Sequence, residues 1–457
     1  MNKKHIVRLY KSELSNFKNI RYGEIKYINY TNVESHGCLE PHDVFGIYGQ
    51  NGSGKTALVD VLDVLQYVLS GREIPYEEFY GMLSVDVPAK LVTYFYIERS
   101  GQKYKAKYEL ELMCNEEERR IELGLECLTY WRRGAVWKKG RSLEIRNPFY
   151  RMEALFDGCE VLLRMEPEKC LCDVSCLKAI QNLAVFCAQK NVSLFFHDVM
   201  ERQMMQVRAD DSEEAVFADV VKALCRFGRD SLHVVKQRRN VETEEGLISV
   251  LFATGYLRIS EAEFQWLQSV TDTVNTAVKA LVPNLAVELL VVKEEPDKEG
   301  HKRIHLNAFS VRGESRVWMK YEADGVRRML SLLYDLVSVY NDPGVCLVVD
   351  ELDSGVFEPL FGELVDALYD GAKGQLIFTA NNLRGMEKLE TRNIVCTTAN
   401  PANRYTRLFG VEKTHNRRDF YMRALRAGGQ KEALYCETES GSIGEAFEMA
   451  YEEIEAQ

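Results

Sequence analysis

The chain has 457 residues, of which 46% are hydrophobic and 28% charged, a composition that excludes a largely disordered or fibrous protein. Its 58 Lys and Arg residues against 69 Asp and Glu give a formal net charge of −11, which excludes a general polyanion binder. No apolar run approaches the roughly 18 residues of a membrane span. We therefore expect a cytoplasmic protein with no membrane partner, whose cysteines are reduced.

The first motif lies between a predicted strand at residues 45–48 and a predicted helix over residues 57–69. It matches G-x-x-x-x-G-K-[ST], the pattern of a phosphate-binding loop, and consists of Gly49, Gln50, Asn51, Gly52, Ser53, Gly54, Lys55 and Thr56. Glycines let backbone N–H groups turn towards phosphate oxygens, and the helix N-terminus adds a positive dipole end. We predict that Lys55 contacts the β- and γ-phosphates of ATP and that Thr56 binds Mg²⁺.

The middle of the chain divides by pattern into two parts. Polar and apolar residues alternate over residues 91–146, which predicts antiparallel strands with turns at Ser100-Gly101 and at Gly134. Residues 150–280 are predicted to be mainly helical, and the clearest helix runs over Glu261–Leu281, before Pro283. No long heptad array is present, so we expect a compact helical subdomain and no long coiled-coil arm.

Three clusters in this region leave alternatives open. Basic residues with tryptophans at 131–133 and 137–141, and the smaller set Lys236, Arg238 and Arg239, are either nucleic-acid contacts or solvated charges, and we favour solvated charges. Cysteines 170, 172 and 176 are either zinc ligands or ordinary thiols. We favour thiols because the spacing is not a paired C-x₂-C and no histidine lies within the cluster.

A second acidic motif follows much later in the chain. Residues 345–349 are a continuous apolar run that ends in Asp350 and Glu351, as in a strand buried on both faces of a parallel sheet. We predict that Asp350 holds Mg²⁺ and that Glu351 polarises the attacking water. A buried strand with an acidic end but no catalytic role is the alternative.

Four segments together resemble the ABC-type ATPases of the RecF, SMC/Rad50 and OLD group. Residues 350–355 resemble the family's D-E-x-D-S-G run, residues 14–20 its first strand, residues 322–328 its signature segment, and residues 375–382 its switch strand. The resemblance covers about residues 5–70 and 285–400. It implies an α/β P-loop NTPase fold: an ABC-type ATPase head with an antiparallel β-subdomain and a helical insertion.

The family resemblance also implies a homo-oligomer in which two copies close around ATP and Mg²⁺. In that arrangement Asp324 and Gly325 of one copy bind the ATP held by the other. An acidic N-cap followed by glycine leaves helix N–H groups free for a γ-phosphate, and a plain helix cap is the alternative. Asn381 takes the place of the family's switch histidine but cannot accept a proton. Gln102 is a weak candidate for the family's Q-loop glutamine.

We predict that the chain divides into five segments. Residues 1–90 and 284–410 form the two pieces of the ATPase head, residues 91–149 the β-subdomain, residues 150–283 the helical insertion, and residues 411–457 a helical tail. The 104 residues after Asp353 are too few for the TOPRIM nuclease domain that OLD-type proteins carry. This content resembles the standalone ATPase subunits of bacterial anti-phage systems such as PARIS.

The resemblance to those subunits implies a separate effector, a nuclease or toxin, gated by ATP. The alternatives are an ATP-dependent DNA-binding or repair factor of the RecF/Rad50 kind, and a nucleotide-bound scaffold with little turnover.

Overall fold

The computed structural model describes residues 5–99, 101–134, 141–146, 164–165, 187, 190–198, 213–236, 244–411, 416–436 and 439–455. The cysteines at 170, 172 and 176, residues 137–140 of the tryptophan-containing cluster, and Arg238 and Arg239 lie outside these ranges.

The strands are β1 (Ile6–Phe17), β2 (Ile20–Lys26), β3 (Val44–Tyr48), β4 (Ala89–Arg99), β5 (Gln102–Asn115), β6 (Arg120–Arg132), β7 (Arg141–Arg146), β8 (Arg164–Met165), β9 (Leu232–Val235), β10 (Tyr256–Ser260), β11 (Leu285–Pro296), β12 (Lys302–Arg312), β13 (Ser315–Trp318), β14 (Cys346–Val349), β15 (Gln375–Ala380), β16 (Ile394–Thr397) and β17 (Tyr405–Thr406).

The α-helices are α1 (Tyr30–Ser35), α2 (Lys55–Leu69), α3 (Tyr76–Phe79), α4 (Glu213–Arg226), α5 (Glu244–Thr254), α6 (Glu261–Leu281), α7 (Asp324–Asn341), α8 (Glu358–Gly371), α9 (Arg384–Lys388), α10 (Arg417–Ala427) and α11 (Ser440–Glu455). The order of strands and helices makes the chain an α/β protein.

A six-stranded sheet with the order β17-β16-β3-β15-β14-β9 forms the centre of the molecule. Its strands are parallel, except that β17 pairs antiparallel with β16 at one edge. Every residue of β3, β14 and β15 is buried, as expected when helices cover both faces of a parallel sheet. Because parallel strands end at the same edge, the segments that follow β3, β14 and β15 lie side by side.

A seven-stranded antiparallel sheet with the order β2-β1-β4-β5-β6-β7-β8 packs on one side of this centre. The antiparallel strands predicted for residues 91–146 are confirmed, with a turn between Arg99 and Gln102. Strands β1 and β2 from the N-terminal segment join the same sheet. Helix α2 shares one apolar core with both sheets, so it is buried around most of its circumference.

A four-stranded sheet made of β10, β12, β11 and β13 shares a separate core with α5, α6 and α7. Helix α6 has the predicted bounds. Its N-cap is Ser260, which forms a capping box with Glu263, a motif that satisfies otherwise unpaired helix N–H groups. Strands β9 and β10 lie within the segment predicted to be mainly helical, and β9 joins the central sheet beside β14. Within the described ranges, no helix is long and apolar enough to cross a membrane.

Candidate nucleotide-binding site

The predicted phosphate loop connects β3 directly to α2, which begins at Lys55. Gly54 has φ 95°, a left-handed conformation that favours glycine. At Gly49, a Cβ atom would lie 1.7 Å from Thr397 Oγ1 of β16, so a larger residue would force the loop away from the sheet. The loop conformation therefore depends on glycine at these two positions.

Lys55, the first residue of α2, is only 7% exposed, and its side chain extends back to the start of the loop. Its Nζ donates hydrogen bonds to the backbone oxygens of Gly49, at 2.6 Å, and Gln50, at 3.2 Å. Burial lowers the pKa of Lys55, while the carboxylates of Glu351 and Asp350 act in the opposite direction. Lysine and the two acidic residues predicted to act with it are therefore close enough to interact.

The predicted metal ligands meet between the phosphate loop and the end of β14. Thr56 Oγ1 donates to Asp350 Oδ1 at 3.4 Å, although 294 residues separate them in the chain. Asp350 is 7% exposed, and its backbone N–H donates to Val235 at the end of β9. A hydroxyl and a carboxylate are the oxygen ligands that Mg²⁺ prefers alongside phosphate oxygens.

Thr379 of β15 connects the two acidic residues, a role that the sequence analysis missed. Its hydroxyl donates to Asp350 Oδ1 at 2.6 Å and accepts from the Glu351 backbone N–H at 2.8 Å. Thr379 is fully buried, and Glu351 has φ 50°, a sparsely populated conformation that needs such support. The only sequence signal was a threonine near the end of a strand predicted to lie beside the site.

Asn381 follows β15 at the edge of the same site. The backbone N–H groups of Asn381 and Asn382 both donate to Asp353 Oδ2, at 2.9 and 2.6 Å. Asn381 itself is exposed. The loop after β14 and the loop after β15 are thus joined through the carboxylate of Asp353, which the sequence analysis did not single out.

The predicted signature residues lie at the start of α7. The expectation that Asp324 caps this helix is wrong: Ala323 is the N-cap residue, no side chain caps the helix, and Asp324 is its first residue. Asp324 instead pairs with Arg327 and has a 92% exposed side chain. The hydrogen bonds among described residues do not join Asp324 or Gly325 to residues 49–56 of the same chain.

Gly325 is nevertheless tied to the acidic motif through close backbone packing. A Cβ atom at Gly325 would lie 2.1 Å from the carbonyl oxygen of Gly355, so the start of α7 packs on the loop that follows β14. One turn further on, Arg328 Nη2 donates to the Asp350 backbone oxygen at 2.9 Å. A side chain of α7 thus contacts the backbone of the residue predicted to hold Mg²⁺.

Two weaker candidates have other roles. Gln102 lies at the start of β5, where its side-chain oxygen accepts from Arg132. Lys236 follows β9 and forms ion pairs with Asp60, at 3.3 Å, and with Asp63, both on α2. Although burial opposes the change, these two carboxylates raise the pKa of Lys236. Lys236 is therefore an internal link and not part of a basic surface for nucleic acid.

No family model and no curated protein matches this chain. Solved structures of SMC head domains are similar to it at low identity. The Smc head bound to the C-winged helix domain of ScpA is 12% identical, with a TM-score of 0.38 over 88% of this chain and 97% of that chain.

The Smc head domain with an extended coiled coil bound to the C-terminal domain of ScpA, from Pyrococcus furiosus, is 13% identical (TM-score 0.39, 88% and 96% covered). The SMC head domain from Thermotoga maritima is 14% identical (0.35, 88% and 99%). With identities and TM-scores this low, the similarity does not indicate a function for this chain. The function has to be inferred from the site itself.

Proposed function

We propose that this chain is a P-loop ATPase of the ABC type, which binds ATP with Mg²⁺ between residues 49–56 and the acidic motif and hydrolyses it. The observation that carries this function is the 3.4 Å hydrogen bond between Thr56 and Asp350. Support also comes from Lys55, on which the carboxylates of Glu351 and Asp350 act electrostatically. The proposed site thus combines a hydroxyl, an ammonium group and two carboxylates. Those are the groups that phosphoryl transfer to water requires.

Each residue has a distinct part in the proposed reaction. Lys55 exchanges its hydrogen bonds to two loop carbonyls for contacts with the negatively charged phosphate oxygens. Thr56 and Asp350 would hold the metal ion. Mg²⁺, when bound, neutralises charge on the phosphates. Glu351 orients the attacking water and accepts its proton. Asn381 can donate a hydrogen bond but cannot take up a proton, so we expect slow turnover without a partner.

The direct test is nucleotide binding by Lys55→Ala. We expect at least about a hundredfold weaker ATP affinity, because a buried charge that contacts phosphate is lost. Isothermal titration with ATP and Mg²⁺ measures the change. Lys105→Ala is the matched control, since Lys105 is also 7% exposed but pairs with Glu34 at 3.1 Å in another part of the molecule. Unchanged ATP affinity in Lys55→Ala would show that the proposed site is wrong.

We further propose that two copies close around ATP, with Asp324 and Gly325 of one copy facing the phosphate loop of the other. Support comes from the surface beside the Gly325–Gly355 contact. Tyr321 is 71% exposed and Phe357 is 75% exposed, and exposed aromatic residues of this kind are typical anchors of protein interfaces.

The closing step is tested with Glu351→Gln, which keeps the shape of the side chain and removes the proposed base. We expect ATP to accumulate uncleaved on this variant. At a protein concentration low enough for the nucleotide-free variant to be a single chain, its mass in solution should double when ATP and Mg²⁺ are added. Adding Phe357→Ser to Glu351→Gln should prevent the doubling. A mass that stays that of one chain with ATP bound would count against the two-copy arrangement.

We propose that ATP occupancy gates a separate effector chain, a nuclease or toxin, in anti-phage defence. The resemblance of the chain's domain content to standalone ATPase subunits of such systems supports this role. The most direct test is to co-express this chain with the product of the neighbouring reading frame. If that product is the effector, it should change the ATPase rate of this chain. A product that neither binds this chain nor alters that rate would remove the support.

A further inference from the structure

The C-terminal part of the chain consists of two consecutive blocks of opposite charge. Residues 404–431 contain eight Lys and Arg against two Asp and Glu, whereas residues 432–457 contain eight Glu and no Lys or Arg. The first block includes α10 and the second includes α11. Two segments of opposite charge therefore follow one another within 54 residues, and segments of opposite charge attract each other.

Helix α11 exposes an apolar stripe. Ile443, Phe447 and Tyr451 recur every four residues and therefore share one face, with exposures of 45%, 73% and 60%. Residues 441–451 are exposed at every position. A single helix of about this length is marginal in water unless its apolar face is packed against a surface. The helix therefore requires a partner surface that the described part of this chain does not supply in its present position.

A basic surface with an exposed aromatic residue lies at the end of α10. We define it by Phe409, Arg423, Arg426 and Lys431, all of which are exposed. The Lys431 Nζ lies 5.6 Å from the Phe409 ring centroid, and the Phe409 N–H donates to Gln430 Oε1 at 2.8 Å. The loop that carries Phe409 is thereby fixed beside the end of α10. Arg423 and Arg426 are exposed on the last turns of the same helix. An exposed ring beside a cation, together with two exposed arginines, is the chemical complement of an acidic amphipathic helix.

The basic surface of the same chain is not the one that α11 contacts. The segment before α11 is held at the phosphate loop, where the Cys436 N–H donates to Gln50 Oε1 at 3.0 Å. Helix α11 begins at Ser440, only a few residues later, and is exposed along its described side chains. Two α11 helices would not pair with each other, because their glutamates would repel.

We propose that α11 of one copy docks on the basic surface of a second copy of this chain. Phe447 and Tyr451 then lie against Phe409, and the glutamates of α11 lie against Arg423, Arg426 and Lys431. The arrangement is reciprocal, so two copies bury two such contacts about a twofold axis. It requires no nucleotide and is separate from the closing of two copies around ATP.

The test uses the full chain without nucleotide and measures mass by light scattering over a range of concentrations. The donor variant is Phe447→Glu and the acceptor variant is Arg423→Glu with Arg426→Glu. We expect the wild type to associate and each variant to dissociate at least about tenfold more readily, as for loss of a buried interface anchor or charge reversal. An equal mixture of the two variants should associate, because one intact α11 still meets one intact basic surface.

Met449→Glu is the matched control, since Met449 is 65% exposed on the opposite face of α11, and it should associate like the wild type. A single-chain mass for the wild type at every concentration would overturn the docking. So would variants that associate normally, or a mixture that stays dissociated, which would instead indicate docking within one chain. These outcomes are independent of ATP binding, so they do not depend on the result with Lys55→Ala.

Discussion

At the scale of single residues, Thr379 holds the two acidic residues of the motif in position. Its one hydroxyl serves Asp350 and the Glu351 N–H together, so it sets the position of the proposed metal ligand and the proposed base. We predict that Thr379→Val, which keeps the shape but removes both hydrogen bonds, destabilises the protein by about 1–3 kcal/mol. Titration of the ATPase rate with Mg²⁺ should also show a higher half-saturating concentration.

The control for Thr379 is Thr93→Val, a substitution in β4 at a threonine that is 2% exposed. It changes the same atoms in another sheet, so the Mg²⁺ dependence should be that of the wild type. If Thr379→Val also kept the wild-type Mg²⁺ dependence, Asp350 would not be the metal ligand that Thr379 positions.

At the scale of elements, Glu322 attaches the start of α7 to the third sheet. Its carboxylate accepts from Ser310 Oγ and Arg312 Nη1 at 2.6 Å each, and from the Ala323 N–H at 3.0 Å. Burial opposes ionisation, but these donors lower the pKa of Glu322 to about 2. A carboxyl group whose pKa is lower in the folded state stabilises the protein above its ordinary pKa, and this contribution is lost as the pH falls from about 4.5 towards 2.

We therefore predict that Glu322→Gln lowers the free energy of unfolding by about 1.5–3 kcal/mol at pH 7, because charge-assisted hydrogen bonds are lost. The difference from the wild type should shrink below about pH 4. Urea unfolding at several pH values measures it. Glu299→Gln is the control, because the Glu299 side chain is 80% exposed. A difference independent of pH would exclude ionisation of Glu322 as the cause.

At the scale of the whole molecule, a small cluster of buried polar side chains joins the antiparallel sheet to the central sheet. Arg8 of β1 and Asp43, next to β3, form an ion pair at 3.3 Å with side chains 4% and 6% exposed. Gln375 of β15 is fully buried and bonds both backbone groups of Leu9, accepting at 3.0 Å and donating at 2.8 Å. Hydrogen bonds and an ion pair, as well as apolar packing, therefore fix the position of the antiparallel sheet against the central sheet.

We predict that Asp43→Ala destabilises the protein by about 3–5 kcal/mol, because it leaves the Arg8 charge buried without its partner. The double variant Arg8→Met with Asp43→Leu should recover most of that loss, since neither charge of the ion pair is then left buried without its partner. Denaturant unfolding monitored by tryptophan fluorescence measures both. A double variant as unstable as Asp43→Ala would mean that the ion pair itself, and not the stranded charge, stabilises the junction.

Local patterns in the sequence determined the elements that short-range chemistry specifies. The glycine loop between a strand and a helix, the apolar strand ending in Asp350, and the bounds of α6 all depend on residues within a few turns of one another. The tertiary structure alone decided that β9 joins the central sheet, that Lys236 pairs internally, that Ala323 and not Asp324 caps α7, and that Thr379 connects the acidic residues. Apart from the cap of α7, these features depend on which strands become neighbours. Strand order is set by packing between segments that are distant in the chain, which no local spacing encodes.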